Sequence, residues 1–149
     1  MRFTAIIEQT YHYQKRMKYI PETNSFIEKD GWSLGYTRNA PQPYGWIKES
    51  GTPPQPHLDV YIMTDKEFEL GDKTPVNIIG VFQRCDGDHK LIGVLDDRTI
   101  SDLSELSEEE LETLHRLYPG KYEGDAWLGR EGAERIIREF METYRQGER

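Results

Sequence analysis

Two carboxylates and a lysine stand close together in one short polar stretch of the chain. Asp86 and Asp88 are separated by a single glycine, and Lys90 follows directly after His89. Carboxylate oxygens are the hard ligands that Mg²⁺ prefers, while lysine and tyrosine can hold phosphate oxygens. The stretch therefore indicates divalent-metal phosphate chemistry, with Asp86 and Asp88 as metal ligands and Lys90 as a phosphate-binding residue.

Groups of the same types occur earlier in the chain. Asp59 is a third candidate metal ligand, and Lys18 and Tyr44 are candidate phosphate-binding residues. Their spacing alone does not bring them together. The alternative interpretation is purely structural, because Asp86 and Gly87 also belong to the residues that tolerate the backbone of a tight turn.

Motifs for other chemistries are absent from the sequence. The Asp-Gly-Asp run lacks the third acid, the glycine position and the terminal glutamate of an EF-hand loop. There is also no glycine-rich phosphate loop, no Cys/His cluster of the metal-binding type and no nucleophile elbow.

Composition sets the limits within which any site must be built. The chain has 149 residues, which fits one domain spanning residues 1–149, and its aromatic content of 11% argues against disorder. A net charge of −8 disfavours a nucleic-acid partner. We expect no membrane association, since no apolar run reaches the length of a span. Cys85 is the single cysteine, which excludes an internal disulfide and fits a reducing cytoplasm.

Strand patterns fill the first part of the chain. Residues 3–13 are predicted to form a strand, followed by a basic patch in a turn, and residues 25–36 a hairpin with Asp30-Gly31 at its turn. The proline-rich residues 39–56 are predicted to be loop around an apolar island at residues 44–47. Residues 57–63 then resume strand character.

The polar stretch itself is predicted to be the tip of a hairpin between residues 76–82 and 91–95. Helical patterns follow. Ser107 and Glu110 form a capping box, and a second amphipathic helix runs from about residue 130 to residue 144, with Gly147 beyond its end. The fold class is therefore α+β and mainly β, a small closed barrel with two C-terminal helices packed outside.

Several motifs occur in an order that resembles a known family. From about residue 15 to residue 140 the chain resembles a short and divergent member of the soluble (family I) inorganic pyrophosphatases. The motifs that carry the resemblance are Lys18-Tyr19, Tyr44-Gly45-Trp46-Ile47, Leu58-Asp59-Val60, Asp86, Asp88 and Lys90-Leu91, with Tyr118 and Trp127 further on.

The resemblance implies an OB-like closed five-stranded β-barrel with additional hairpin strands. It implies hydrolysis of inorganic diphosphate, or a related small phosphoanhydride, by metal-activated water with Mg²⁺ or Mn²⁺ as cofactor. Asp59 would bridge the metal ions, Asp86 and Asp88 would complete the metal shell, and Glu8 would be a further acid although its register is off by one. The phosphate-binding residues would be Lys18, Tyr44, Lys90 and Tyr118.

The sequence departs from the family pattern at the site. Pro54 and Pro56 stand where the family has two aspartates, and Pro56 falls at the position of its general base. Trp32 stands where a phosphate-binding arginine is usual. His57 is a candidate replacement for the lost base, because histidine titrates near neutral pH.

Two other functions remain open at this point. The chain could be a catalytically degenerate protein that keeps the barrel and binds an anion, a metal or a protein partner without turnover. It could also be an OB-like module for single-stranded nucleic acid, which its aromatic content suggests and its acidic balance disfavours. A homo-oligomer is possible in each case.

Overall fold

Five strands close on themselves into a mixed barrel in the computed structural model, which describes residues 1–145. The barrel order is β1-β4-β5-β7-β6, the pairing of β1 with β6 closes it, and β8 adds to the outer edge of β6. The hairpin of β2 and β3 stands apart as a second sheet. In chain order the elements are β1 (Arg2–Gln9), β2 (Lys15–Ile20), β3 (Ser25–Trp32), α1 (Leu34–Thr37), β4 (Tyr44–Ile47), β5 (Asp59–Ile62), β6 (Lys73–Gln83), β7 (Lys90–Val94), α2 (Glu108–Leu117), β8 (Ala126–Gly129) and α3 (Arg130–Arg145).

The barrel strands bury alternate side chains in a common interior. Ala5 and Ile7 of β1 and Val60 and Ile62 of β5 have no solvent exposure, as period-two alternation requires. Each of the five strands contributes to this interior cluster, and α3 packs Ala133, Ile136 and Ile137 against it. The predicted closed barrel is therefore confirmed.

A second apolar layer lies on the outer side of β5, β6 and β7. Leu114 and Leu117 of α2 are almost fully buried there against Ile79, Phe82 and Ile92. Because β5 has the barrel interior on one side and this layer on the other, all four of its residues are buried. Any charged residue on β5 must then find its partners inside the protein.

Both predicted helices are confirmed. The Ser107 hydroxyl accepts from the Glu110 amide, and the Glu110 carboxylate accepts from the Ser107 amide, which completes the capping box of α2. The predicted second helix corresponds to α3, while Gly147 lies outside the described residues. Within residues 1–145, no helix combines the length and apolarity needed to span a membrane.

The predicted hairpin at residues 25–36 is wrong. Residues 25–32 form one strand that pairs with β2, and Asp30 and Gly31 lie in a bulge between the pairs Met17–Glu28 and Lys15–Trp32. Gly31 has φ +101°, so its freedom serves this bulge rather than a turn. The basic patch is consequently strand β2, not a turn, and β1 ends at Gln9 rather than at residue 13.

Gly45 permits the closest backbone approach in the barrel. A Cβ atom at this position would lie 1.9 Å from the carbonyl oxygen of Ile6 on the paired strand. We expect Gly45→Ala to lower the free energy of unfolding by ~3 kcal/mol or more, measured by urea denaturation. Gly93→Ala is the matched control with a much smaller expected effect, because its nearest atoms lie at 3.4 Å. Equal midpoints for wild type and Gly45→Ala would contradict this packing.

Candidate active site

The centre of the site is an ion pair between the first residues of two parallel strands. Asp59 begins β5 and Lys90 begins β7, and the parallel register pairs these two residues directly. The Lys90 Nζ donates to Asp59 Oδ2 at 2.6 Å, and both residues are buried, at 6% and 7% exposure. Burial of two charges is tolerated only because they are paired.

The Lys90 ammonium also donates hydrogen bonds to two further groups. Its Nζ donates to Asp88 Oδ1 at 3.1 Å and to the Tyr44 hydroxyl at 3.3 Å. Burial alone would lower the pKa of Lys90, but the charge and hydrogen bond of Asp59, together with Tyr118 and Asp88, leave the pKa raised overall. Burial is the main reason that the pKa of Tyr44 lies well above its usual value. Lys90 is therefore an ammonium and Tyr44 a neutral hydroxyl at physiological pH.

His57 approaches the other oxygen of Asp59. Its Nε2 lies 3.0 Å from Asp59 Oδ1, although the angle does not meet hydrogen-bond geometry, and its Nδ1 contacts the Gln55 carbonyl at 2.8 Å. Burial would raise the pKa of Asp59, but His57 and Lys90 together lower it to about 2. Burial likewise lowers the pKa of His57, but Asp59 and the Gln55 carbonyl leave it raised overall.

The turn between β6 and β7 carries the remaining charges. The Arg84 guanidinium contacts Asp86 at 3.1 Å and Asp88 at 3.5 Å. Asp86 Oδ1 also accepts from the Asp88 amide, and Gly87 has φ +84°, so the predicted hairpin turn is present. Asp86 and Asp88 are exposed, and of the two only Asp88 reaches Lys90.

Lys90, Tyr44, Asp88 and Arg84 line a cleft of about 460 Å³, whereas Asp59, His57 and Asp86 lie next to it and are not part of its lining. Tyr118 lies in its wall, and its hydroxyl is 3.2 Å from that of Tyr61. The cleft also contains Arg16 of the basic patch and Arg84, two cations that were not predicted as site residues. The predicted site residues that line it are Glu8, Tyr44, Asp88, Lys90 and Tyr118. Lys18 is exposed on β2 and is not part of the lining.

Glu8 is a carboxylic acid held near the Asp59 carboxylate. Burial and the charge of Asp59 raise its pKa to about 7, against which His57, Lys90 and Arg16 act in the opposite direction. Near neutral pH, Glu8 is therefore a mixture of the neutral and the charged form. A cation entering the cleft would favour the charged form.

The raised pKa of Glu8 predicts how stability depends on pH. The pKa of about 7 exceeds the ordinary 4.5, so the contribution of Glu8 is full below pH 4.5 and is lost as pH rises through 7. Glu8→Gln has no such loss. In a chelator, we expect the variant to gain up to ~3 kcal/mol of unfolding free energy over wild type across this range. Urea unfolding at several pH values measures it, and parallel curves for the two proteins would contradict it.

The carboxylates fit a magnesium ion in part. Within residues 1–145, no three His, Cys, Asp or Glu side chains converge into a set that could hold a metal by themselves. However, Asp59 Oδ1 is buried without a hydrogen-bond partner, and Glu8 is repelled by Asp59. Mg²⁺ usually takes one or two carboxylates and completes its shell with water and substrate phosphates. Asp59 and Glu8 are the two carboxylates that could meet that requirement.

Comparison with known proteins defines the class to which this barrel and cleft belong. The family model described as inorganic pyrophosphatase matches residues 5–145. An inorganic pyrophosphatase of Malacoplasma penetrans (strain HF-2) is 30% identical over 125 residues, which cover 79% of this chain and 68% of the relative. The chain belongs to the inorganic pyrophosphatase family, whose members are hydrolases of diphosphate.

Solved structures agree on the fold. The inorganic pyrophosphatase of Neisseria gonorrhoeae superposes with a TM-score of 0.73 at 20% identity, covering 95% of this chain and 90% of that chain. That of Ehrlichia chaffeensis gives 0.71 at 18% identity, with 93% and 92% covered. At such identities the likeness shows the barrel architecture alone.

Proposed function

We propose that this chain hydrolyses inorganic diphosphate in the cleft around Asp59 and Lys90, with Mg²⁺ as its cofactor. The observation that carries the proposal is the buried Lys90 ammonium, which reaches Asp59, Asp88 and Tyr44 within a cleft lined by further cations. Membership of the inorganic pyrophosphatase family supports the reaction type.

Binding of the substrate rests on the cations and hydroxyls of the cleft. The Lys90 ammonium and the Arg84 guanidinium would each exchange a carboxylate partner for a phosphate oxygen, and Arg16 supplies further positive charge. Tyr44 and Tyr118 stay protonated because burial raises the pKa of each hydroxyl, so both can donate. Lys18 remains a predicted phosphate ligand and would have to reach the cleft from the exposed face of β2.

The metal would be held by Asp59 and Glu8, with water and phosphate oxygens completing its shell. Enzymes of this family generally depend on divalent metals. A bound divalent ion supplies positive charge that polarises the phosphoryl group and activates water. Asp86 and Asp88 remain predicted ligands, and either would first have to leave Arg84.

His57 is proposed as the base that receives a proton from the attacking water, at Nε2. Its Nδ1 contact with the Gln55 carbonyl keeps Nε2 unprotonated whenever the ring is neutral. Because Asp59 and the Gln55 carbonyl leave the pKa of His57 raised, the base form appears at higher pH than for an ordinary histidine. We expect His57→Asn to reduce kcat by about 10²–10⁴-fold and to remove the corresponding rise in the pH profile. Undiminished turnover in this variant would remove His57 from the mechanism.

The direct test of the proposed function is phosphate release from diphosphate in Mg²⁺, in Mn²⁺ and in a chelator. We expect release that requires a metal ion. Asp86→Ala, measured beside wild type, reports whether the exposed carboxylate contributes as a ligand. Absence of metal-dependent release by purified wild type would refute the enzymatic function.

A second candidate is binding without turnover. Pro54 and Pro56 in place of the family's carboxylates, together with the mutual neutralisation of Asp59 and Lys90, favour a protein that binds an anion or a metal. Tight binding of diphosphate without phosphate release would establish this alternative.

A further inference from the structure

An aromatic surface stands in the same cleft as the phosphate-binding cations. Trp32 is 54% exposed and stacks on Tyr36 with ring centroids 5.6 Å apart and planes inclined by 25°. Tyr11 lies 6.0 Å from Tyr36. All three residues line the cleft together with Lys90, Arg16 and Arg84. We call Trp32, Tyr36 and Tyr11 the aromatic platform.

The local structure holds the aromatic platform in place. The Ser33 hydroxyl accepts from the Tyr36 amide at 3.0 Å and so fixes α1 to the end of β3. The Ser33 amide donates to the Gln14 carbonyl at 2.9 Å, and the Tyr11 hydroxyl contacts Asn39 Oδ1 at 3.3 Å. A large aromatic ring that is both exposed and ordered presents a face on which another planar group can stack.

Inorganic diphosphate has no planar group that could stack on such a surface. Two phosphate groups offer only oxygens, which charged and hydrogen-bonding side chains bind, whereas the aromatic platform offers apolar π-faces. A cleft volume of about 460 Å³ lies within the range that holds drug-sized organic ligands, roughly 300–1,000 Å³. The platform also carries a cation, since Lys15 Nζ lies 5.7 Å from the centroid of the Trp32 ring.

We propose that the cleft binds a phosphoanhydride carrying a planar ring, as in a nucleoside diphosphate, with the ring stacked on Trp32 and the phosphates at Lys90 and Arg84. This inference rests on the proposed phosphoanhydride chemistry and extends its substrate class. Aromatic stacking combined with positive charge is the usual means of binding nucleotides without sequence readout. A free nucleotide is favoured over a nucleic-acid strand because the net charge of −8 opposes a long polyanion.

Hydrolysis of such a substrate would follow the same course as that of diphosphate. Water adds to the terminal phosphorus, and the bond from that phosphorus to the bridging oxygen breaks. The electron pair of that bond stays on the bridging oxygen of the departing nucleoside monophosphate. The water gives up one proton to His57 Nε2, the proposed base, as orthophosphate forms.

The test compares two non-hydrolysable ligands by calorimetry in Mg²⁺. Methylenediphosphonate carries the phosphate groups alone, and α,β-methylene-ADP carries the same unit with a nucleoside. We expect wild type to bind α,β-methylene-ADP about 5- to 150-fold more tightly, as one stacked base predicts. Trp32→Ala should lose that advantage and Trp32→Phe should keep most of it. Tyr122→Ala, an exposed aromatic residue outside the cleft lining, is the matched control.

Four outcomes would overturn the inference. Equal affinity of wild type for the two ligands would show that the ring gains nothing from the platform. An equal loss for both ligands in Trp32→Ala would assign the residue a structural role. Tighter binding of a short adenylate strand than of α,β-methylene-ADP would assign the platform to nucleic acid. In each case, phosphate release from diphosphate by the same preparations shows separately whether the proposed function stands, and failure of both ligands to bind would contradict both proposals.

Discussion

Replacing Lys90 with methionine is expected to reduce kcat for phosphate release by about 10²–10³-fold, the loss that follows removal of one preorganised donor to developing charge. Methionine keeps the length of the side chain and removes the ammonium that contacts Asp59, Asp88 and Tyr44. Phosphate release from diphosphate in Mg²⁺ measures the effect.

In that experiment, a loss of activity caused by unfolding must be distinguished from a loss caused by the missing ammonium. Removing the lysine leaves the buried Asp59 carboxylate without its closest partner, which typically costs about 3–5 kcal/mol. Asp59→Asn with Lys90→Met removes both charges together, so this double variant is expected to fold and still lack activity. Lys48→Met, at an exposed lysine beyond the far end of β4, is the control and should retain turnover. Near-normal kcat in a folded Lys90→Met variant would contradict the role assigned to Lys90.

Asp59→Asn is expected to produce the second large effect, on metal binding. The substitution preserves shape but removes the negative charge of the buried carboxylate, whose oxygen Oδ1 has no hydrogen-bond partner. We expect Mg²⁺ affinity to fall by at least about 10-fold, since changes in groups that merely support a metal ligand already cost 10–100-fold. Calorimetric titration of Mg²⁺ in the presence of methylenediphosphonate measures this affinity.

A matched control distinguishes the site from general loss of negative charge. Asp30→Asn removes one exposed carboxylate from the β3 bulge and should bind Mg²⁺ as wild type does. If Asp59→Asn also retained the wild-type affinity, the metal would have to bind through other residues, and the exposed Asp86 and Asp88 would then become the leading ligands.

Local signals in the sequence were sufficient for the helices and for one hairpin. The capping box at Ser107 and the apolar spacing of residues 130–144 depend on neighbours within one or two turns, and both helices are confirmed. The Asp86-Gly87 turn likewise lies between strands that pair with each other. Such features depend on contiguous residues, so the local sequence pattern is sufficient to predict them.

Other features depend on contacts between distant parts of the chain. Asp30-Gly31 has the composition of a turn, but the chain turns earlier, in the segment that includes Asn24 with φ 47°, and Gly31 is used in a bulge. On β2, Arg16 lines the cleft while Lys18, two residues further along, does not, a difference that the motif order could not reveal.

The central ion pair is the clearest case of a non-local feature. Asp59 and Lys90 are both recognisable as chemically suitable residues, yet only the parallel pairing of β5 and β7 makes them neighbours. Parallel strands require a long connection, so their register cannot be predicted from residues that are adjacent in the sequence. The resemblance to the pyrophosphatases predicts both residues as part of the site. Only the structure shows that they are in direct contact and that the cations Arg16 and Arg84 lie in the same cleft.

The most direct test of the account follows diphosphate itself, with the protein in excess over substrate in Mg²⁺, by ³¹P NMR. Under these conditions even a single slow turnover is visible. We predict that the diphosphate resonance converts to orthophosphate at a rate that depends on wild-type protein and Mg²⁺, and that Lys90→Met slows this conversion. A diphosphate resonance that persists unchanged with wild-type protein and Mg²⁺ would contradict the assignment of this cleft as a diphosphate-hydrolysing site.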